Sequence, residues 1–317
     1  MTYVMLFPVA LRMTTGVLAV LLAAAQPARP TPDAPDLRFN ADTTLVLIPV
    51  VVTDRLNRFV LGLQKQDFHL YEDGVEQTIA HFSSEDAPLS VGLVFDTSGS
   101  MGEKLRTSRQ AANRFLTTMN AQDEIFLVEF SDRAELASGF TSQTDDIENK
   151  LEQAQPGGLT AMLDAAQMAL DEMKKARNPR KAIVIISDGG DNNSRYTGRQ
   201  IEALVRQADV QIYAMGVFEP DIVIPGLSKE EVSGPRLLAE LAEQTGGRAF
   251  SASDARDLPN VAVRIGIELR NQYVLAYSPK NAKRDGTYRR VEVKVTRPAA
   301  IPDLKIHWRL GYYAPSN

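Results

Sequence analysis

The chain has 317 residues, a formal net charge of −5 and 24% charged residues. That length suits about two domains rather than one core, and no basic cluster stands out as a nucleic-acid surface. There is no cysteine, which excludes disulfides, thiolate metal sites, a cysteine nucleophile and lipid attachment through cysteine.

Arg12 precedes an apolar, uncharged run, Met13 to Ala25, that ends in small residues. Ala23-Ala24-Ala25 has the form of an A-x-A cleavage site, so residues 1–25 read as a secretory signal peptide and the chain as secreted or periplasmic. The run is short for a membrane span. Tyr3 to Leu11 is also mostly apolar, and an uncleaved membrane anchor is the alternative. Residues 26–42 read as a linker, in which the Pro-rich stretch Gln26 to Asp36 should stay extended.

Thr43 to Asp54 is a β-type run whose Pro49 points to an edge or a bulge. Phe68 to Tyr71 and Val75 to Phe82 flank an Asp73-Gly74 turn and predict a hairpin. Val91 to Phe95 then predicts a strand covered on both faces. From there strands and helices alternate. Helices are expected over Leu105 to Met119, Asp145 to Gln153, Thr160 to Ala176, Arg199 to Gln207, Pro235 to Gln244 and Leu258 to Arg270. Strands are expected over Glu124 to Phe130, Lys181 to Ser187, Val210 to Val217 and Arg248 to Phe250, with Arg133 to Phe140 as an edge partner. This alternation predicts an α/β fold with an open, doubly wound, mostly parallel sheet.

After Asn271, apolar and polar residues alternate in three runs, around Tyr273 to Tyr277, Arg290 to Val295 and Leu304 to Leu310. Three such strands leave one apolar face uncovered, as do the front strands. The expectation is one β-sandwich from residues 43–88 plus 271–317, with an α/β domain of residues 89–270 inserted in it. Two separate flaps packed on the α/β domain are the alternative.

The chemistry concentrates where the first buried strand ends. Asp96 is followed by Ser98 and Ser100, and Gly99 and Gly102 let the backbone curl. One carboxylate and two hydroxyls then converge, an all-oxygen set suited to a hard divalent cation. In a parallel sheet the carboxyl ends of the strands share one edge, so Asp188, after Lys181 to Ser187, and Thr160 can face the same point. The plain alternative makes Asp96 and Asp188 helix caps at strand-to-helix turns.

At these residues the chain resembles the von Willebrand factor type A domain. Asp96 to Ser100, DTSGS, is similar to the metal-ion-dependent adhesion motif D-x-S-x-S. Thr160, in GGLTAMLDA, and Asp188, in IISDGGDN, match the later loops that complete it. The resemblance implies a metal site of Asp96, Ser98, Ser100, Thr160 and Asp188, with Mg²⁺ as its ion and Mn²⁺ or Ca²⁺ as alternatives. It also implies a protein partner that offers an Asp or Glu carboxylate to the metal. The front segment, with Asp67-Phe68-His69-Leu70-Tyr71-Glu72-Asp73-Gly74, resembles a bacterial family called VWFA-related. Integrin-type relatives carry an Asp pair after the second serine; Met101-Gly102-Glu103-Lys104 stands here, so no adjacent calcium site is expected. Asp191, Asn192 and Asn193 read as a solvated turn or helix cap. Phe218 to Gly234 reads as a long loop that borders the metal, or as a hairpin over an exposed edge.

Enzyme readings have little to stand on. His69, His81 and His307 lie in β segments outside the α/β region, and no G-x-S-x-G, glycine-rich phosphate loop or H-E-x-x-H occurs. A metal phosphatase would need a second acid beside Asp96, where Thr97 and Ser98 stand. The function expected is metal-dependent protein binding or adhesion, with no nucleic acid and no small-molecule substrate. The rival is a structural scaffold module in an envelope complex.

Overall fold

Alternating patterns at the two ends of the chain and continuous apolar runs in its middle fold into different kinds of sheet. The computed structural model describes residues 45–216, 229–252, 254–296 and 303–316. The expected signal peptide, the linker and residues 218–228 of the expected loop lie outside them. Among the described residues no helix is long and apolar enough to cross a membrane.

The front of the chain forms β1 (Val46–Thr53), β2 (Phe68–Glu72), β3 (Val75–Gln77) and β4 (His81–Ser83). The middle begins with β5 (Leu89–Asp96), a short 3-10 segment (Gly99–Lys104), α1 (Leu105–Leu116), β6 (Glu124–Phe130) and β7 (Ala134–Thr141). It continues through α2 (Thr144–Gln153), α3 (Met162–Met173), β8 (Arg180–Ile186) and α4 (Gly198–Gln207). It ends with β9 (Gln211–Gly216), α5 (Lys229–Gln244), β10 (Ala249–Ser251) and α6 (Leu258–Arg270). The rear holds β11 (Tyr273–Tyr277), β12 (Tyr288–Val295), β13 (Lys305–Trp308) and β14 (Gly311–Tyr313).

The middle is a six-stranded sheet in the order β10-β9-β8-β5-β6-β7. All its neighbours pair in parallel except β7, which runs antiparallel at the edge. Every residue of β5 is buried. Successive β5 side chains enter opposite cores: Leu93 and Phe95 pack with α1, α2 and α6, while Val94 packs with α3, α4 and α5. Strand order reverses between β5 and β8, so the crevice at their carboxyl ends is the switch point of the sheet.

Front and rear strands intermix in two antiparallel four-stranded sheets, β13-β1-β11-β4 and β14-β12-β2-β3. One core lies between them, with Ile48, Val50, Phe68, Leu70, Tyr273, Leu275, Val291 and Val293. Pro49 sits in the half of β1 that pairs with β11 alone, since pairing with β13 begins at Val50. A missing N–H is tolerated there. Asp73 and Gly74 both take positive φ, 47° and 80°, as a type I′ hairpin turn requires.

Four boundaries differ from expectation. Val75 to Phe82 is two short strands, β3 and β4, in different sheets. The last run likewise divides into β13 and β14, which join different sheets. Arg309 turns that corner: its guanidinium donates to Asp209 Oδ1 at 2.7 Å, and Leu310 N donates to the Gln244 carbonyl. α5 starts at Lys229 and contains Pro235; the proline removes one N–H from the helix ladder without ending it. Thr160 does not open α3, because its carbonyl accepts the N–H groups of Asn192 and Asn193.

Salt bridges close the base of the α/β domain. Arg270, at the end of α6, pairs with Asp86 and with buried Asp123, and Asp123 Oδ1 accepts the Leu89 N–H at 2.8 Å. The strands that enter and leave the domain are thereby pinned together. In the sandwich, the Oε2 of buried Glu72 on β2 accepts from Tyr277 Oη of the opposite sheet at 2.7 Å and from Tyr312 Oη of its own sheet at 2.8 Å. Glu72→Ala strands two buried hydroxyls and should cost about 3 kcal/mol in urea unfolding. Glu72→Gln, which keeps an acceptor, should cost less.

Candidate functional site

The loop after β5 is set by its own residues. Asp96, fully buried, turns back so that Oδ1 accepts the Ser98 N–H at 2.8 Å. This leaves the Ser98 and Ser100 hydroxyls 3.0 Å apart. The second Asp96 oxygen accepts from Ser187 Oγ at 2.6 Å, and Ser187 Oγ in turn accepts the Gly189 N–H. Asp96 thus ties the β5 loop to the β8 loop. Asp188, next on the β8 loop, accepts from Ser100 Oγ at 3.2 Å through Oδ1 and from Lys104 Nζ at 3.1 Å through Oδ2.

The third loop is stitched to the first through backbone. Gly99 N donates to the Gly158 carbonyl, and Gly157 N donates to the Thr97 carbonyl. Gly158 has φ +79°, and a Cβ there would stand 2.7 Å from the Asp132 carboxylate. Only glycine suits both demands. Asp132 accepts the Leu159 N–H at 2.7 Å, and Asn192 Oδ1 accepts the Thr160 N–H at 2.9 Å. Asp191 supports the start of α3 through the Leu163 N–H and Ser194 Oγ.

The structure therefore joins Asp96, Ser98, Ser100 and Asp188 in one hydrogen-bonded chain. Thr160 is buried in the adjoining loop; among the described residues its hydroxyl joins none of these bonds. Ser187, Lys104 and Asp132 were not singled out from the sequence. Ser187 had a signal, a serine between a buried strand and an aspartate. Lys104 had none, because its partner lies 84 residues away. Gly234 of α5 packs against the Gly189 carbonyl, where a Cβ would collide at 1.3 Å, so a helix backbone backs the Asp188 loop. Among the described residues no group of three or more His, Cys, Asp or Glu side chains is placed to hold a metal ion by itself; the cluster is two carboxylates and hydroxyls. His307 lies on β13, away from it, with its pKa pushed down to about 4 by burial and by Arg248 and Lys305.

Burial raises the Asp96 carboxyl to about 6; hydrogen bonds from Ser187 and Ser98 oppose the rise, and the nearby Asp188 charge adds to it.

Residues 91–190 match the family model described as the von Willebrand factor type A domain. The matched stretch holds β5 and β8, the parallel neighbours whose carboxyl ends carry the polar cluster at the switch point of the sheet. Residues 91–190 of this chain are thus a von Willebrand factor type A domain. An uncharacterized protein of Borreliella burgdorferi is 25% identical over an alignment of 188 residues that covers 53% of this chain and 55% of that protein. Inter-alpha-trypsin inhibitor heavy chain H2 of Sus scrofa is 27% identical over an alignment of 151 residues that covers 43% of this chain and 16% of that protein. The chain thus spans about half the length of the first relative and about a sixth of the second. The solved von Willebrand factor type A structure from Catenulispora acidiphila superposes with a TM-score of 0.50 at 12% identity, over 88% of this chain and 75% of that one. That likeness shows the fold.

The raised Asp96 pKa sets a pH dependence. The folded chain holds the Asp96 proton more tightly than the unfolded one, so ionisation works against the fold. Stability from this group is full below about pH 4 and is lost as the pH rises through about 6. In EDTA, the unfolding free energy of the wild type minus that of Asp96→Asn should fall by about 1–3 kcal/mol from about pH 4 to 7. A flat difference in urea unfolding contradicts this.

Proposed function

We propose that the chain is an extracellular or envelope binding protein that engages a protein partner through a divalent cation at this edge. Mg²⁺ is the first choice, held by Ser98, Ser100, Thr160, Asp188 and Asp96. The oxygen spacing carries the reading. Ser98 Oγ, Ser100 Oγ and Asp188 Oδ1 follow one another at 3.0 and 3.2 Å. Neighbouring oxygens around an octahedral Mg²⁺ stand about 2.9 Å apart, given bonds of about 2.0–2.1 Å. The donors are all oxygen, as a hard cation requires. A cation held there would supply a Lewis acid for an Asp or Glu carboxylate of the partner.

The chain's own residues prepare that encounter. Ser98 and Ser100 present hydroxyls from a loop fixed by the Asp96 carboxylate. Asp188 brings the charge nearest the opening. Asp96, buried behind them, supplies a second negative charge. The signal-peptide pattern of residues 1–25 supports a location outside the cytoplasm. The scaffold reading has one observation in its favour, the Lys104–Asp188 ion pair, which partly neutralises the cluster without any metal.

The test captures partners from the native envelope fraction on the immobilised chain, with Mg²⁺ or with EDTA. Capture should require Mg²⁺ and be lost in Asp188→Ala; equal capture in EDTA overturns the reading. Mg²⁺ at ~100 times its Kd should also stabilise the wild type by about 2.7 kcal/mol in thermal unfolding.

A further inference from the structure

We infer that Lys104 is a built-in competitor for the cation: its ammonium stands against Asp188 and lowers the affinity of the site for a divalent ion. The inference rests on the metal-site reading above and adds to it the residue that tunes occupancy.

Lys104 Nζ lies 3.1 Å from Asp188 Oδ2, while the other oxygen of the same carboxylate accepts from Ser100 Oγ. Only 9% of the Asp188 side chain is exposed, against 35% of Lys104. The ammonium therefore caps a mostly buried carboxylate from the solvent side. Ser100 and Lys104 belong to one 3-10 segment, Gly99–Lys104, which runs directly into α1. The proposed metal ligand and its competitor are thus held on one short rigid element, four residues apart.

The charge count gives the direction of the effect. The cluster holds two carboxylates, Asp96 and Asp188, and among the described residues Lys104 is the cation paired with either. Without it, Asp188 faces buried Asp96 with no positive charge between the loops. A divalent ion neutralises both carboxylates by itself, so the ammonium becomes surplus and repels it. An ammonium in contact with a ligand carboxylate would repel a cation held by that carboxylate, the more so in a partly buried site. With both present, the edge carries a net positive charge toward an incoming carboxylate.

The test uses the full chain with Mg²⁺ and Mn²⁺ alone as probes, read by calorimetry and by thermal unfolding in EDTA. Lys104→Met keeps the aliphatic stem and removes the charge; Lys104→Arg keeps the charge. Lys104→Met should bind Mg²⁺ about fivefold or more tighter than the wild type, the low end of typical coupling between two ligands. It should also melt at a lower temperature in EDTA, and Lys104→Arg should stay near the wild type in both. Wild-type or weaker Mg²⁺ affinity in Lys104→Met overturns the inference while leaving the metal site standing. If the wild type takes up neither ion, the metal-site reading fails and the inference falls with it.

Discussion

A carboxylate buried at the end of the central strand organises this molecule. Asp96 has no exposed surface, and its oxygens accept from Ser98 on its own loop and from Ser187 on the neighbouring strand's loop. A buried negative charge without a cation is costly. The protein meets that cost in part by hydrogen bonds from Ser98 and Ser187 and in part by a raised pKa, to which the nearby Asp188 charge adds. Everything else at this edge follows from holding those loops in place. Gly158 and Asp132 lock the third loop, and the backbone of α5 supports the second.

The sandwich solves the same electrostatic problem differently. Glu72 is also buried, but two tyrosine hydroxyls from β11 and β14 meet it. Those contacts satisfy the group and leave it nothing to offer, so it joins the two sheets. Asp96 sits beside a second carboxylate and an opening. Two buried acids in one chain thus have opposite roles, decided by what faces them. The seam between sandwich and α/β domain is polar as well, built from Arg270, Asp123, Asp86, Arg309 and Asp209. It clamps the base of the sheet, opposite the edge that carries the site.

Much of the site was legible because it is local. Asp96, Ser98 and Ser100 are two residues apart, and the hydrogen bond from Ser98 N to Asp96 is a short-range turn contact. Asp188 was legible as the acid that ends a buried strand. The bonds from Ser187 to Asp96 and from Lys104 to Asp188 cross 91 and 84 residues, and no spacing rule announces such partners. Thr160 was placed on a helix because the apolar period of α3 extends back to it. The backbone bonds from Asn192 and Asn193 hold it in the loop instead. The two split runs misled for a related reason: alternation reports which residues are half-buried, not which of two facing sheets they join.

The order of residues alone determined the kinds of element, because continuous apolar runs require cover on both faces and alternating runs on one. It also determined the oxygen-rich loop after β5, whose shape depends on near neighbours and glycine. Tertiary structure alone decided that β8 lies beside β5 and that the chain reverses its winding between them. It also decided that an ammonium and two carboxylates from distant segments meet at one edge of the sheet. The physical reason is that strand order and side-chain encounter are set by how whole apolar faces pack together. That is a property of the assembled core, which no local window of the chain contains.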